Sequence, residues 1–325
     1  MNKIKTHPIH HIVYHNDLDG FGSAAIIKMH LMDEEVIPKE RIRMHCMRYD
    51  GSLDFDDVMG PEDAVYMVDF MLQPVKRMER LSRLLKDNGN LLWIDHHVSA
   101  RQAKESSTEL IGVHGIVMLD YAAIELTWRH IYPGSRMPTA VALLGRYDVW
   151  DHSGDVYRWD EEILPFQYGM KLRNYDPATD EGMDLWKMLF DTYHETANGR
   201  LCQEIVNDGM KVLSYVKGTN EAFMKSNGFE ARFLPNDWNV IAINGSLRTS
   251  MTFDGFYDKQ RHDAMVVFGL SSKNTWVYSL YSETRNVADV AMSLGGGGHP
   301  QAAGFSTTDP PEFFFEHKTA ATRIA

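Results

Sequence analysis

The sequence predicts an α/β protein in two parts. An N-terminal, mostly parallel sheet with helices on both faces precedes a smaller C-terminal α/β domain with a mixed sheet. Three observations predict it. Apolar strands alternate with helical patterns through the first half, and a long helical stretch without obvious chemistry follows. From about Asn220, short strands separated by Gly, Asn and Asp turns take over. The expected division is 1–194, a helical connector over 195–219, and 220–325.

The elements follow in order. HHIVYH is a short apolar strand, NDLDG turns, and FGSAAIIKMHLM has helical spacing. AVYMVDF is a second strand, followed by QPVKRMERLSRLLKDNG, an amphipathic helix with a Pro near its start and a Gly just past its end. NLLWIDHH is a third strand; LDYAAIELTWRHIYPG and TAVALLGRYDVWD read as helices. ETANGRLCQEIVNDGMKVLSYVKG is the connector. GFEARFL, NVIAING, DAMVVFGL and TWVYSLYS are the strands of the second domain, NVADVAMSLG is its helix, and GGGHPQAAGF follows. The tail PPEFFFEHKTAATRIA yields no reading, and there is no internal repeat.

Bulk properties narrow the function. The 325 residues, 44% hydrophobic and 24% charged, suit a globular chain of two domains. No apolar run approaches the roughly 18 residues of a membrane span. The start, MNKIKTHPIHHIVYH, lacks the apolar core and cleavage site of a secretory signal. Cys46 and Cys202 are the only cysteines, which argues against a disulfide framework or a thiolate zinc site and points to a reducing cytoplasm. Lys plus Arg number 33 against 45 Asp plus Glu, a net charge of −12, which argues against coating long nucleic acid. A short phosphate-bearing substrate stays open, because bound divalent cations reverse the local sign of an acidic cleft.

Three predicted strands end in metal-type ligands. His15, Asp17 and Asp19 follow the first, Asp69 the second, and Asp95, His96 and His97 the third; Asp148 ends an apolar helix. In open α/β sheets, functional groups gather beyond the carboxyl ends of parallel strands. So many acids cannot all ionise together without cations. Carboxylates and imidazoles without thiolate suit two Mn²⁺ ions, with Mg²⁺ or Co²⁺ as alternatives. Such a pair would stabilise the attacking and leaving oxygens of phosphoryl transfer. Each signal has a plain structural reading: NDLDG as a turn, Asp69 as a helix cap, the two histidines as surface residues. Their conjunction at three successive strand ends favours the metal site.

These motifs resemble those of the DHH phosphoesterase family. HNDLDG, the Asp of MVDF, DHH itself and the Asp of RYDVWD stand in the family's order. LGGGGHPQAAGF is similar to the glycine-rich signature of the DHH-associated domain in the RecJ and nanoRNase branches. The resemblance implies that Asp17 and Asp19 each hold one metal and that Asp69 bridges the two. His96 and Asp148 complete the second site. It implies that His97 orients ligands or touches the scissile phosphate, with Asp95 supporting the histidine pair. His15 departs from the pattern, in which a ligating His stands four residues before the first Asp; here that position is Val13.

Gly295, Gly296, Gly297 and Gly298 would let backbone N–H groups approach a phosphate, with His299 donating beside them. The related branch carries an Arg where this chain has Tyr281, which leaves Arg285 as a substitute. Tyr281 itself reads as a half-buried strand residue rather than a base platform, and Trp150 and Trp159 read as packing residues. The expected activity is a two-metal phosphodiesterase cutting short single-stranded oligonucleotides to mononucleotides, as a monomer or a homodimer, with no membrane partner. Alternatives are a cyclic or linear dinucleotide phosphodiesterase, a pyrophosphatase, which the glycine-rich domain disfavours, and an inactive nucleotide sensor.

Overall fold

Strand β1 (His10–His15) is the spine of the first sheet, with β2 (Ile42–Met47) on one side and β3 (Ala64–Val68) then β4 (Leu91–Ile94) on the other, all parallel. The computed structural model describes residues 8–48, 55, 58–85 and 90–317. Alternation along each strand supplies two cores. Ile12, Tyr14, Val68 and Ile94 face one, and Val13, Val65, Met67 and Trp93 face the other. Burial on both faces is why these strands read as continuous apolar runs.

Helices α1 (Leu18–Asp33), α4 (Ala123–Ile131), α5 (Thr139–Asp148), α6 (Leu164–Met170) and α7 (Asp180–Phe190) fill the first core. Helices α2 (Val75–Leu85) and α3 (Val98–Ser106) cover the second through Met78, Leu81, Leu85, Ala100 and Ala103. The sequence reading did not include β2, α3, α6 or α7. The connector is one 33-residue helix, α8 (Glu195–Asn227). Its Cys202, Ile205 and Val206 join the first core and its Met224 a core of the second unit; the two compact units, 1–212 and 213–325, divide within it. Against α6 the approach is close. A Cβ on Gly209 would lie 1.7 Å from the Pro165 carbonyl oxygen, and one on Gly169 would lie 1.9 Å from that of Ile205.

The second unit holds a mixed sheet in the order β11-β5-β6-β7-β8-β10-β9, from β5 (Gly228–Phe233), β6 (Trp238–Asn244), β7 (Ala264–Leu270), β8 (Trp276–Tyr281), β9 (Gly297–His299), β10 (Ala302–Thr307) and β11 (Phe315–His317). Among the described pairings of this second sheet only β6–β7 is parallel. Helix α9 (Val287–Ser293) packs Val287, Val290 and Ala291 into a core with Tyr278 and Phe305. The tail that yielded no reading supplies β11 and two core residues, Phe314 and Phe315. Among the described residues no helix is long and apolar enough to cross a membrane.

Candidate metal centre

Tyr14, Val68 and Ile94 are partners across β1, β3 and β4. The residues next along each strand, His15, Asp69 and Asp95, therefore stand side by side at the carboxyl end of the sheet. Asp17 then caps α1: its Oδ1 accepts from the Gly20 N–H at 2.9 Å, and its Oδ2 lies 2.6 Å from His15 Nδ1. The turn is tight, since a Cβ on Gly20 would sit 2.3 Å from the His15 carbonyl oxygen. Burial, the largest influence, works against the ionised Asp17, but the hydrogen bond and charge of His15 together with the Gly20 N–H hold the carboxyl below its ordinary range. At His15 burial acts to lower the imidazole, and the Asp17 contact together with the charges of Asp148 and Asp95 raises it.

Asp19 caps another helix from more than a hundred residues away. Its Oδ2 accepts from the Ala123 N–H at 2.9 Å and its Oδ1 from the Ile124 N–H at 2.6 Å, at the positive end of α4. Burial, and next the charge of Asp148, push its pKa well up. Asp69 is 1% exposed, with a left-handed backbone (φ 55°) that Asp tolerates better than most residues. Both its carboxylate oxygens are buried without a hydrogen-bond partner. Burial, and then Asp19, raise its pKa well above the carboxylate range.

His96 is the hub. Its Nε2 lies 3.1 Å from Asp148 Oδ2, 3.3 Å from Asp69 Oδ1 and 3.6 Å from Asp19 Oδ2. Burial alone would lower its pKa, but the surrounding carboxylates, Asp148 and Asp69 foremost and then Asp19, raise it to about 12. Asp95 is fully buried and organises its neighbours. Its Oδ1 accepts from the backbone N–H groups of His96 (2.7 Å) and His97 (3.0 Å) and lies 2.8 Å from His97 Nδ1. Assigning the Nδ1 proton to that contact puts the ring's lone pair on Nε2.

Three sets among the described residues bring ligand atoms within 4.8 Å of one another: His15, Asp17 and Asp69; Asp19, His96 and Asp148; and Asp69, His96 and His97. The first two share no residue. A divalent cation fits here on the protein's own terms. The donors are carboxylate and imidazole, and Asp69 offers two buried oxygens that no N–H satisfies.

The second unit's candidates stand as follows. Gly295 (φ 80°) donates its N–H to the Met292 carbonyl and Gly296 to that of Ala291, so both close the end of α9. Gly297 and Gly298 pair with Gly304 and Ala303 of β10, and a Cβ on Gly298 would meet Ala303 at 2.5 Å. His299 ends β9, and its side chain lies outside the described residues. Arg285 is bonded through Nε and Nη2 to Asp263 Oδ1 at 2.9 and 2.7 Å. Tyr281 is half-buried and packs beside Ile241 and Met265. His7 lies outside the described residues.

The sequence reading missed an aromatic group beyond Asp148, formed by Tyr147, Trp150, His152 and Trp159. It had Trp150 as a packing residue, whereas Trp150 is 50% exposed. The available signal was the density of aromatic residues in YDVWDHSGDVYRW, a loop stretch with little helical or strand periodicity.

No family model matches the chain. It is 18% identical to Oligoribonuclease NrnB of Bacillus subtilis (strain 168) over 314 residues, covering 93% of this chain and 73% of that protein. A solved DHH domain from a member of the s1p family of ribosomal proteins is 14% identical, with a TM-score of 0.56 over 95% of this chain and 83% of that one. An exopolyphosphatase-related protein from Bacteroides fragilis is 14% identical, with a TM-score of 0.51 over 94% and 89%.

Proposed function

We propose that this chain is a phosphoesterase of the DHH family, a metal-dependent phosphodiesterase that hydrolyses short oligonucleotides to nucleoside monophosphates. The observation that carries the reading is Asp69, a buried carboxylate with two unsatisfied oxygens that belongs to one ligand set with His15 and Asp17 and to another with His96 and His97. His15 and Asp17 would hold one ion, Asp19, His96 and Asp148 the other, and Asp69 would reach both. Mn²⁺ is the ion assigned. When bound, divalent cations neutralise charge on phosphate oxygens and increase the acidity of water.

The chain's own groups do the rest. Asp95 locks His97 so that its second ring nitrogen meets the scissile phosphate in a fixed orientation. Asp19 is held in place by two backbone N–H groups, so its position does not depend on the ion. Net charge supports a short substrate, because a chain at −12 offers long nucleic acid little counterion release.

The test is a time course with Mn²⁺, Mg²⁺ and Co²⁺ on 5′- and 3′-labelled RNA and DNA, from dinucleotides to long oligomers, with a cyclic dinucleotide alongside. Mononucleotides should form fastest from the shortest chains. Absence of cleavage with every metal would overturn the reading, and faster opening of the cyclic dinucleotide would replace its substrate.

A further inference from the structure

Directly after Asp148 the chain leaves α5 and exposes aromatic surface. Trp150 has a left-handed backbone (φ 56°), which a bulky side chain adopts only against strain, and its indole is half exposed to solvent. Behind it, Trp159 carries the His152 ring on it at 3.8 Å and 23°, and the Tyr147 ring at 5.6 Å and 9°. Trp150 meets Trp159 edge-on at 4.6 Å. Tyr147 and Trp159 pack against the core beside the first sheet, so the stack is anchored while Trp150 is presented outward.

The loop is also held from the side. The Trp150 N–H donates to the Tyr147 carbonyl, the Asp151 N–H donates to that of Arg146, and Arg146 pairs with Asp151.

Position and charge select the occupant. Trp150 is two residues from Asp148, so their Cα atoms are at most about 7.6 Å apart, two trans-peptide steps. The cations nearby in sequence are already engaged, Arg146 by Asp151 and Arg158 by Glu161, while Asp155 and Asp160 add negative charge. Such a surface repels phosphate and offers flat π faces, which suits the uncharged planar part of a nucleotide. We propose that Trp150, backed by the His152–Trp159–Tyr147 stack, is the subsite that holds the nucleobase of the nucleotide whose phosphate is at the metal centre. The inference rests on the phosphodiesterase reading and adds where the base goes. Every base has a π face, so the subsite tolerates sequence and favours purines by area.

Calorimetric titration with Mn²⁺ present separates this from the activity itself. Adenosine 5′-monophosphate and ribose 5-phosphate carry the same phosphate and differ in the base. The protein should bind the nucleotide about 5-fold or more tighter than the sugar phosphate, the lower end of what stacking on one aromatic side chain supplies. Trp150→Ala should bring the two affinities level, and Trp150→Tyr should keep most of the preference and show that the loop still folds. Equal affinities in the unaltered protein, or a preference that survives Trp150→Ala, would overturn the subsite. Loss of the oligonucleotide reading would show instead as no cleavage in the time course, with this affinity ratio intact.

Discussion

Asp69 and Asp95 are both buried acids at strand ends, yet they have opposite chemistry. Asp95 has its hydrogen bonds made, and Asp69 has none. Asp69→Asn keeps a residue that tolerates the left-handed backbone while removing the buried acid and the cost of its ionisation. In metal-free protein it should therefore raise the Tm, by about 2–4 °C for each kcal/mol relieved in a unit of this size. Turnover should fall by more than about 100-fold, the upper scale for residues that only support ligands. Scanning calorimetry with and without Mn²⁺, alongside the cleavage assay, checks both halves. Asp95→Asn should lower activity by about 10–100-fold while the ions stay bound, because it loosens His97 and leaves the oxygen ligands in place. Metal titration beside kcat reads that split.

Among the elements, the α6–α8 crossing carries a sharp prediction. Gly169→Ala places a methyl group 1.9 Å from a backbone oxygen of α8, which must move. The cost should be about 1–3 kcal/mol, the usual range for overpacking, read as a lower urea midpoint with an unchanged denaturant slope. The sequence could not announce this contact, because two glycines in two helices say nothing about each other until the helices cross. The same holds for Asp19, whose partners Ala123 and Ile124 are remote in sequence. What was legible was local. Apolar runs ending in acids gave β1, β3 and β4, and the amphipathic α2 was marked by its Pro and Gly. Helix α3 was missed because VSARQAKES buries only Ala100 and Ala103, too thin a stripe to read, and β2 because IRMHCM buries only its two ends. The stretch FFFEH yielded no reading, since its pairing partner β5 is distant in sequence.

For the molecule as a whole, pH acts through a histidine pair on the sheet itself. His11 of β1 is buried, its Nδ1 lies 2.9 Å from Nε2 of His45 on β2, and its Nε2 lies 3.4 Å from Asp63. Burial, then the neighbouring His11, lowers His45 to about 4, and burial likewise lowers His11. Both are therefore neutral in the folded state at a pH where the unfolded chain takes up protons. Their contribution to stability is complete above the ordinary histidine value of 6.5 and declines as pH falls from there toward about 4. Urea midpoints across that window should drop in the unaltered protein and drop less in His45→Gln. Equal slopes would show that the pair does not control acid sensitivity.

The row of His15, Asp69 and Asp95 at one level of the sheet bears on how the proposed metal centre would assemble. Each of the three belongs to a different strand, and the loops between those strands span dozens of residues, so no excised peptide reproduces the grouping. Completion of the centre then becomes a late milestone of assembly: Asp19, His96 and Asp148 come together only once β4 has docked beside β3. Ion capture timed against refolding would thus act as a stopwatch for closure of the sheet.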